Sequence, residues 1–141
     1  MYEHGLIGPA LALVLWSLVI MVWLYATRIP AMQRAKVDPQ SVKLAGSGRG
    51  MLPPAVEQVA NNYNHLMEQP TIFYAACFIA QIGGATDPIN IGLAWTYVAL
   101  RVLHSLIQCT VNVVVLRFFI FLLASIALAA LAIRTAMAMW G

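Results

Sequence analysis

Apolar residues fill four long stretches of this chain, and most polar ones gather in the joints between them. The stretches run from Leu6 to Thr27, from Pro54 to Gly83, from Ile89 to Val115 and from Phe118 to Trp140. Each is close to the ~20 residues that an α-helix needs to cross ~30 Å of hydrocarbon. Pro53-Pro54 suit the start of a helix, where a missing N–H would be unpaired anyway. Gly83-Gly84 and Thr86-Asp87-Pro88 then mark its end. The pattern predicts an all-α membrane protein: one four-transmembrane-helix bundle over residues 1–141, with helices at 6–27, 54–83, 89–115 and 118–140.

Composition agrees, with 62% hydrophobic and 9% charged residues and a mean hydropathy of +0.81. Little of the chain is left for a separate soluble domain. Positive charge follows the first apolar run instead of preceding it, so that run is expected to stay as an anchor and not to be a cleaved signal. Cys77 and Cys109 lie inside apolar stretches and are expected to be small buried hydrophobes. The net charge of +3 needs no nucleic-acid partner, because position explains it. Five of the eight lysines and arginines (Arg28, Arg34, Lys36, Lys43 and Arg49) fall in the first joint, where Gly46-Ser47-Gly48 and Gly50 loosen the backbone, and Arg117 falls in the third. Lysine and arginine in short loops mark the cytoplasmic side. Both termini and the turn at Asp87 are thus expected outside, with Arg134 reaching outward from the fourth span, in a protein in contact with lipid.

Ionisable groups in hydrocarbon cost roughly 2.5 to 3.5 kcal/mol each on insertion scales, so they normally face protein and mark function. At 100° per residue, Glu57, Asn61, Asn64, His65 and Glu68 share an arc of the second helix no wider than about 100°. Arg101, His104, Ser105, Gln108 and Asn112 share a similar arc of the third, again about 100°. Counted from the outer turn, Glu68, Arg101 and His104 lie at similar depth. An ion pair between Glu68 and Arg101, with His104 beside it, is therefore expected, within a polar cavity opening toward Arg117 and the basic first joint. The same groups could instead form a satisfied network that holds helix register. No spacing suited to a metal, no glycine-rich phosphate loop and no Ser/His/Asp pattern is present.

Asn64-His65-Leu66-Met67-Glu68-Gln69-Pro70 with Phe73-Tyr74, and Arg101-Val102-Leu103-His104 with the later Arg117, resemble the MAPEG family, the membrane-associated proteins in eicosanoid and glutathione metabolism. The resemblance covers essentially the whole chain and is nearer to a bacterial branch than to the eicosanoid enzymes. It implies a homotrimer with glutathione sites between protomers on the cytoplasmic side. Ser125, Ala129, Ala132 and Ala136 on the last helix, spaced for close helix approach, suit such a trimer. Carried over by position, Arg117 becomes the catalytic residue that holds the thiol as thiolate, and Asn64, His65, Glu68, Arg101, His104 and Gln108 become the glutathione-binding set.

The departures bear on function. The family's glutathione enzymes carry arginines where this chain has Asn61 and Asn64, an asparagine at His65 and a tyrosine at Gln108. Losing two guanidiniums removes charge-assisted hydrogen bonds worth about 1.5 to 3 kcal/mol each. Two readings follow. One is a membrane-embedded, glutathione-dependent transferase or peroxidase acting on a lipophilic electrophile. The other is a non-catalytic member that binds a lipid or quinone-like molecule, or serves as an accessory subunit of a larger membrane complex.

Overall fold

The computed structural model describes residues 4–36 and 52–141. The expectations resting on Lys43, Gly46-Ser47-Gly48, Arg49 and Gly50 lie outside the described residues. Among those described, the chain is all-α, with α1 at Ile7–Ala35, α2 at Pro54–Leu66, α3 at Gln69–Ile82, α4 at Pro88–Cys109 and α5 at Val114–Trp140. By length and composition α1 and α5 are each apolar enough to cross a membrane.

α1 outruns the expected 6–27 by more than two turns, passing through Pro30 to Ala35 before Lys36 closes it in the left-handed conformation. Its 29 residues make a rod of about 43 Å. Pro9, Ala10, Leu13, Ser17, Ile20 and Leu24 recur at helical spacing on its buried face. Leu11, Leu15, Val19 and Val22 project outward, as on a helix that is apolar all round.

The expected second helix, 54–83, is broken in two. Pro70 has no N–H to offer the Leu66 carbonyl, and its ring would clash with that carbonyl in a continuous helix. α2 therefore stops at Leu66, Glu68 adopts φ −94° and ψ −96°, and α3 restarts with Pro70 in its first turn. The N–H groups of Met67 and Glu68 turn back to the carbonyls of Asn64 and His65. α4 ends at Cys109 and not near 115, because Thr110 leaves helical geometry and Asn112 takes φ +50°. Asparagine tolerates that left-handed region better than most residues. α5 consequently begins four residues earlier than expected and carries Arg117 in its first turn.

α5 packs mainly on α4, and α1 on α2 and α4. Their shared core includes Leu13, Ile20, Phe73, Ala94, Tyr97, Ala124 and Leu131, with the Phe73 and Tyr97 rings stacked at 4.4 Å. Both cysteines are buried and free, as expected. Gln69, the first residue past the break, accepts from the Tyr97 hydroxyl at 3.0 Å and donates to Ser125 at 2.9 Å, tying α3 to α4 and α5. At the opposite end Asp87 caps α4 by accepting from the N–H groups of Ile89 and Asn90. The Arg134 side chain reaches this turn, donating to Asn90 at 2.8 Å and Asp87 at 3.1 Å.

Candidate functional site

α2 sets which of its polar groups face the bundle. Val59, Asn62 and Leu66 form its buried face and share an arc of about 60°, on the side opposite most of the Glu57–Glu68 stripe. Burying the apolar arc turns the stripe away. Asn61, Asn64 and Glu68 are exposed, and Glu57 and His65 are half-buried. On α4 the expected stripe does face inward: Arg101 and Ser105 are fully buried, and His104 and Gln108 nearly so. The two stripes therefore do not face each other along their length; His65 carries the α2 stripe to the α4 one.

His65 and His104 meet edge to face, with ring centroids 6.0 Å apart. Together with Val114, Arg117, Phe118 and Phe121 they line a cavity of about 240 Å³ between α2, α4 and the start of α5. The Arg101 guanidinium lies 5.8 Å from the centre of the Phe121 ring, so it sits against this cavity's wall.

The expected Glu68–Arg101 ion pair is not formed. Glu68 sits at the break, where the backbone turn aims its side chain outward, 70% exposed and 3.9 Å from His65 Nδ1. Arg101 is 0% exposed, and none of its three nitrogens has a hydrogen-bond partner among the described residues. His104 Nδ1, Ser105 Oγ, Gln108 Oε1 and Arg117 Nε are likewise buried without partners. A buried, unpaired polar group is costly. The surface where α4 meets α2 and α5 thus keeps a concentration of hydrogen-bonding capacity for something other than this chain's described residues.

Of the sequence-derived set, His65, His104 and Arg117 come together around one cavity, Arg101 backs it through Phe121, and Gln108 lies one turn along α4. Asn64 points away, and Glu68 lies 3.9 Å from His65. Sequence reasoning passed over Asn62, which is fully buried beside the Cys109 thiol. Its signal was its spacing from Val59 and Leu66, which places an amide on an apolar face. Phe118 and Phe121 were read as span residues only.

The Asp87 turn has a separate electrostatic feature. The Asn90 N–H, aided by the Arg134 guanidinium and the Ile89 N–H, holds the Asp87 carboxyl below the usual aspartate range against the opposing effect of burial.

Compared with known proteins, residues 6–137 match the model of the MAPEG family, which takes in nearly all of the chain. No curated protein and no solved structure gives a match.

Proposed function

Because the chain belongs to the MAPEG family, we propose that it works as a membrane-embedded, glutathione-dependent transferase or peroxidase on a lipophilic electrophile. Membership itself makes it an integral membrane protein with a glutathione-related or allied role in general. The observation that carries the finer reading is Arg117: it lines the cavity with its Nε buried and unpartnered, facing His65 and His104.

The donor set fits such a ligand. Arg117 supplies a cation for a thiolate, and the unpartnered nitrogens of Arg101 suit a carboxylate. Bound there, glutathione supplies the nucleophile: its thiolate sulfur bonds to the electrophilic carbon as the leaving group departs with its bonding electron pair. Arg117 favours the charged form of the thiol, which is the reactive one. His65 and His104 wall the sulfur's surroundings. Val114, Phe118 and Phe121 offer an apolar surface to an electrophile arriving from the bilayer.

The same reading includes four crossings of a bacterial inner membrane. α2 and α3 together make one broken span, α4 makes another, and both termini are outside. It also includes a homotrimer, because a lipid-facing position for Asn61, Asn64 and Glu68 would be costly and a neighbouring copy could cover them.

The test is conjugation of glutathione to 1-chloro-2,4-dinitrobenzene by the purified protein in detergent. We expect turnover, with Arg117→Ala lowering kcat/KM roughly 10²-fold, in the range for losing a donor aimed at developing charge, and Arg117→Lys retaining part of it. Absent turnover with saturable binding of a quinone or fatty acid would overturn the enzyme and support the non-catalytic binding protein, a reading that the apolar lining of Val114, Phe118 and Phe121 favours.

A further inference from the structure

We infer that His65 is the general base that takes the proton of the bound thiol, with Glu68 as the positioning residue that sets its tautomer and balances its charge; this rests on the reading of the cavity as a thiol site.

A thiol reacts as its thiolate, so its proton needs an acceptor before the sulfur can attack. Arg117, on the cavity wall, favours the anion but has no lone pair with which to take a proton. Two groups on the same wall have one, His65 and His104. His104 is 3% exposed, and its Nδ1 is buried without a partner among the described residues. A base must shed its proton at every turnover, and His104 is shut off from water. His65 suits both halves of the task. It lines the cavity, yet its side chain is 42% exposed and stands beside the 70% exposed Glu68.

Glu68 sets which ring nitrogen is free. Its Oε2 lies 3.9 Å from His65 Nδ1, an ion-pair separation and not a hydrogen bond. A carboxylate on that side favours the neutral tautomer with its N–H at Nδ1, which leaves the Nε2 lone pair as the acceptor. The backbone holds the two side chains on one turn. At the break before Pro70, the Glu68 N–H donates to the His65 carbonyl at 3.2 Å, and the Glu68 carbonyl accepts from the Thr71 hydroxyl at 2.7 Å. Arg101 and Arg117 place two positive charges near the ring. An imidazolium formed there draws on the Glu68 carboxylate for opposite charge, and the pair closes up as catalytic contacts do once a ligand is bound.

The step balances. The S–H bond breaks, its electron pair stays on sulfur, and the proton goes to His65 Nε2. The thiolate bonds to the electrophilic carbon, the leaving group departs with its bonding pair, and the imidazolium returns its proton to water. Thiol and electrophile thus give a thioether, the leaving-group anion and one proton.

The experiment measures conjugation of glutathione to 1-chloro-2,4-dinitrobenzene in detergent, with glutathione affinity from calorimetry. His65→Ala should lower kcat about 10²-fold, the low end for a lost general base, and leave the glutathione Kd nearly unchanged because Arg101 and Arg117 remain. Imidazole in the buffer should restore part of that kcat, saturably, and do nothing for wild type. His65→Gln, whose amide fills the space but takes no proton, should be as slow and gain nothing from imidazole. Glu68→Gln should lower kcat about fivefold at constant KM, the scale of a partly exposed charge pair, and Glu68→Asp should recover part of it. Unchanged kcat in either His65 variant, or a loss in His65→Ala that imidazole does not restore, would overturn the base. Weakened glutathione binding at unchanged kcat would make His65 a binding residue and overturn it as well. Wild type that neither binds nor conjugates glutathione would overturn the thiol site itself, a failure read from wild type before any variant is compared.

Discussion

Asp87 shows how one side chain can serve two helices. Its carboxylate accepts from the Ile89 and Asn90 N–H groups, capping α4, and also receives Arg134 from α5. Asp87→Ala should cost about 0.5 to 2 kcal/mol, the usual range for a lost cap. Since the folded carboxyl titrates below the ordinary aspartate value, this stabilisation is complete above about pH 4 and is lost as pH falls through the lower folded value. Thermal unfolding of wild type and Asp87→Asn across that range checks it: the gap between them should narrow on acidification, and a constant gap would contradict the assignment. Residue-level correction matters most at Glu68 and Arg101. Their similar depth was legible from sequence, but depth does not specify direction. With Glu68 turned outward and Arg101 inward, Glu68→Gln and Arg101→Met should change stability additively, with coupling below about 0.5 kcal/mol. A larger coupling energy in a double-mutant cycle would restore the ion pair.

Elements were most legible where punctuation was local. Pro54 starts α2 as the sequence indicates, and the Thr86-Asp87-Pro88 turn that closes the second stretch also starts α4. Pro70 carried an equally local signal for the break, but the continuous apolar pattern on both sides concealed it. Once the helix is broken, its two halves need a tertiary tie, and Gln69 provides one through Tyr97 and Ser125. Gln69→Leu should destabilise by about 1 to 3 kcal/mol, because Tyr97 and Ser125 are left short of a partner away from water. Tyr97→Phe should cost much less in the Gln69→Leu background than in wild type. Equal costs in the two backgrounds, measured by chemical denaturation, would mean that the tie contributes nothing. The early end of α4 was harder to read. Thr110 to Val113 are apolar enough to pass for helix, and the left-handed Asn112 becomes visible only in the folded backbone.

For the whole molecule, an amphipathic helix buries its apolar side first. α2 spends its inward face on Val59 and Leu66, so Asn61, Asn64 and Glu68 are left exposed. If neighbouring copies cover that surface, Asn64→Cys in a cysteine-free background should cross-link between protomers under mild oxidation. Ile133→Cys, on an exposed apolar position of α5, should cross-link far less. Equal cross-linking at both positions, or none at 64, would argue against the trimeric reading.

Sequence by itself determined the membrane character, the helical class, the family resemblance and the polar stripe of α4, because each depends on composition or on spacing within one element. It also identified His65, His104 and Arg117, which come together around one cavity. Tertiary structure alone decided which way α2 rotates, that Glu68 leaves Arg101 unpaired, and that Asn62 is buried on the inward face of α2. Those outcomes depend on how two helices share their buried faces, and a periodicity within one helix carries no information about the rotation of its neighbour.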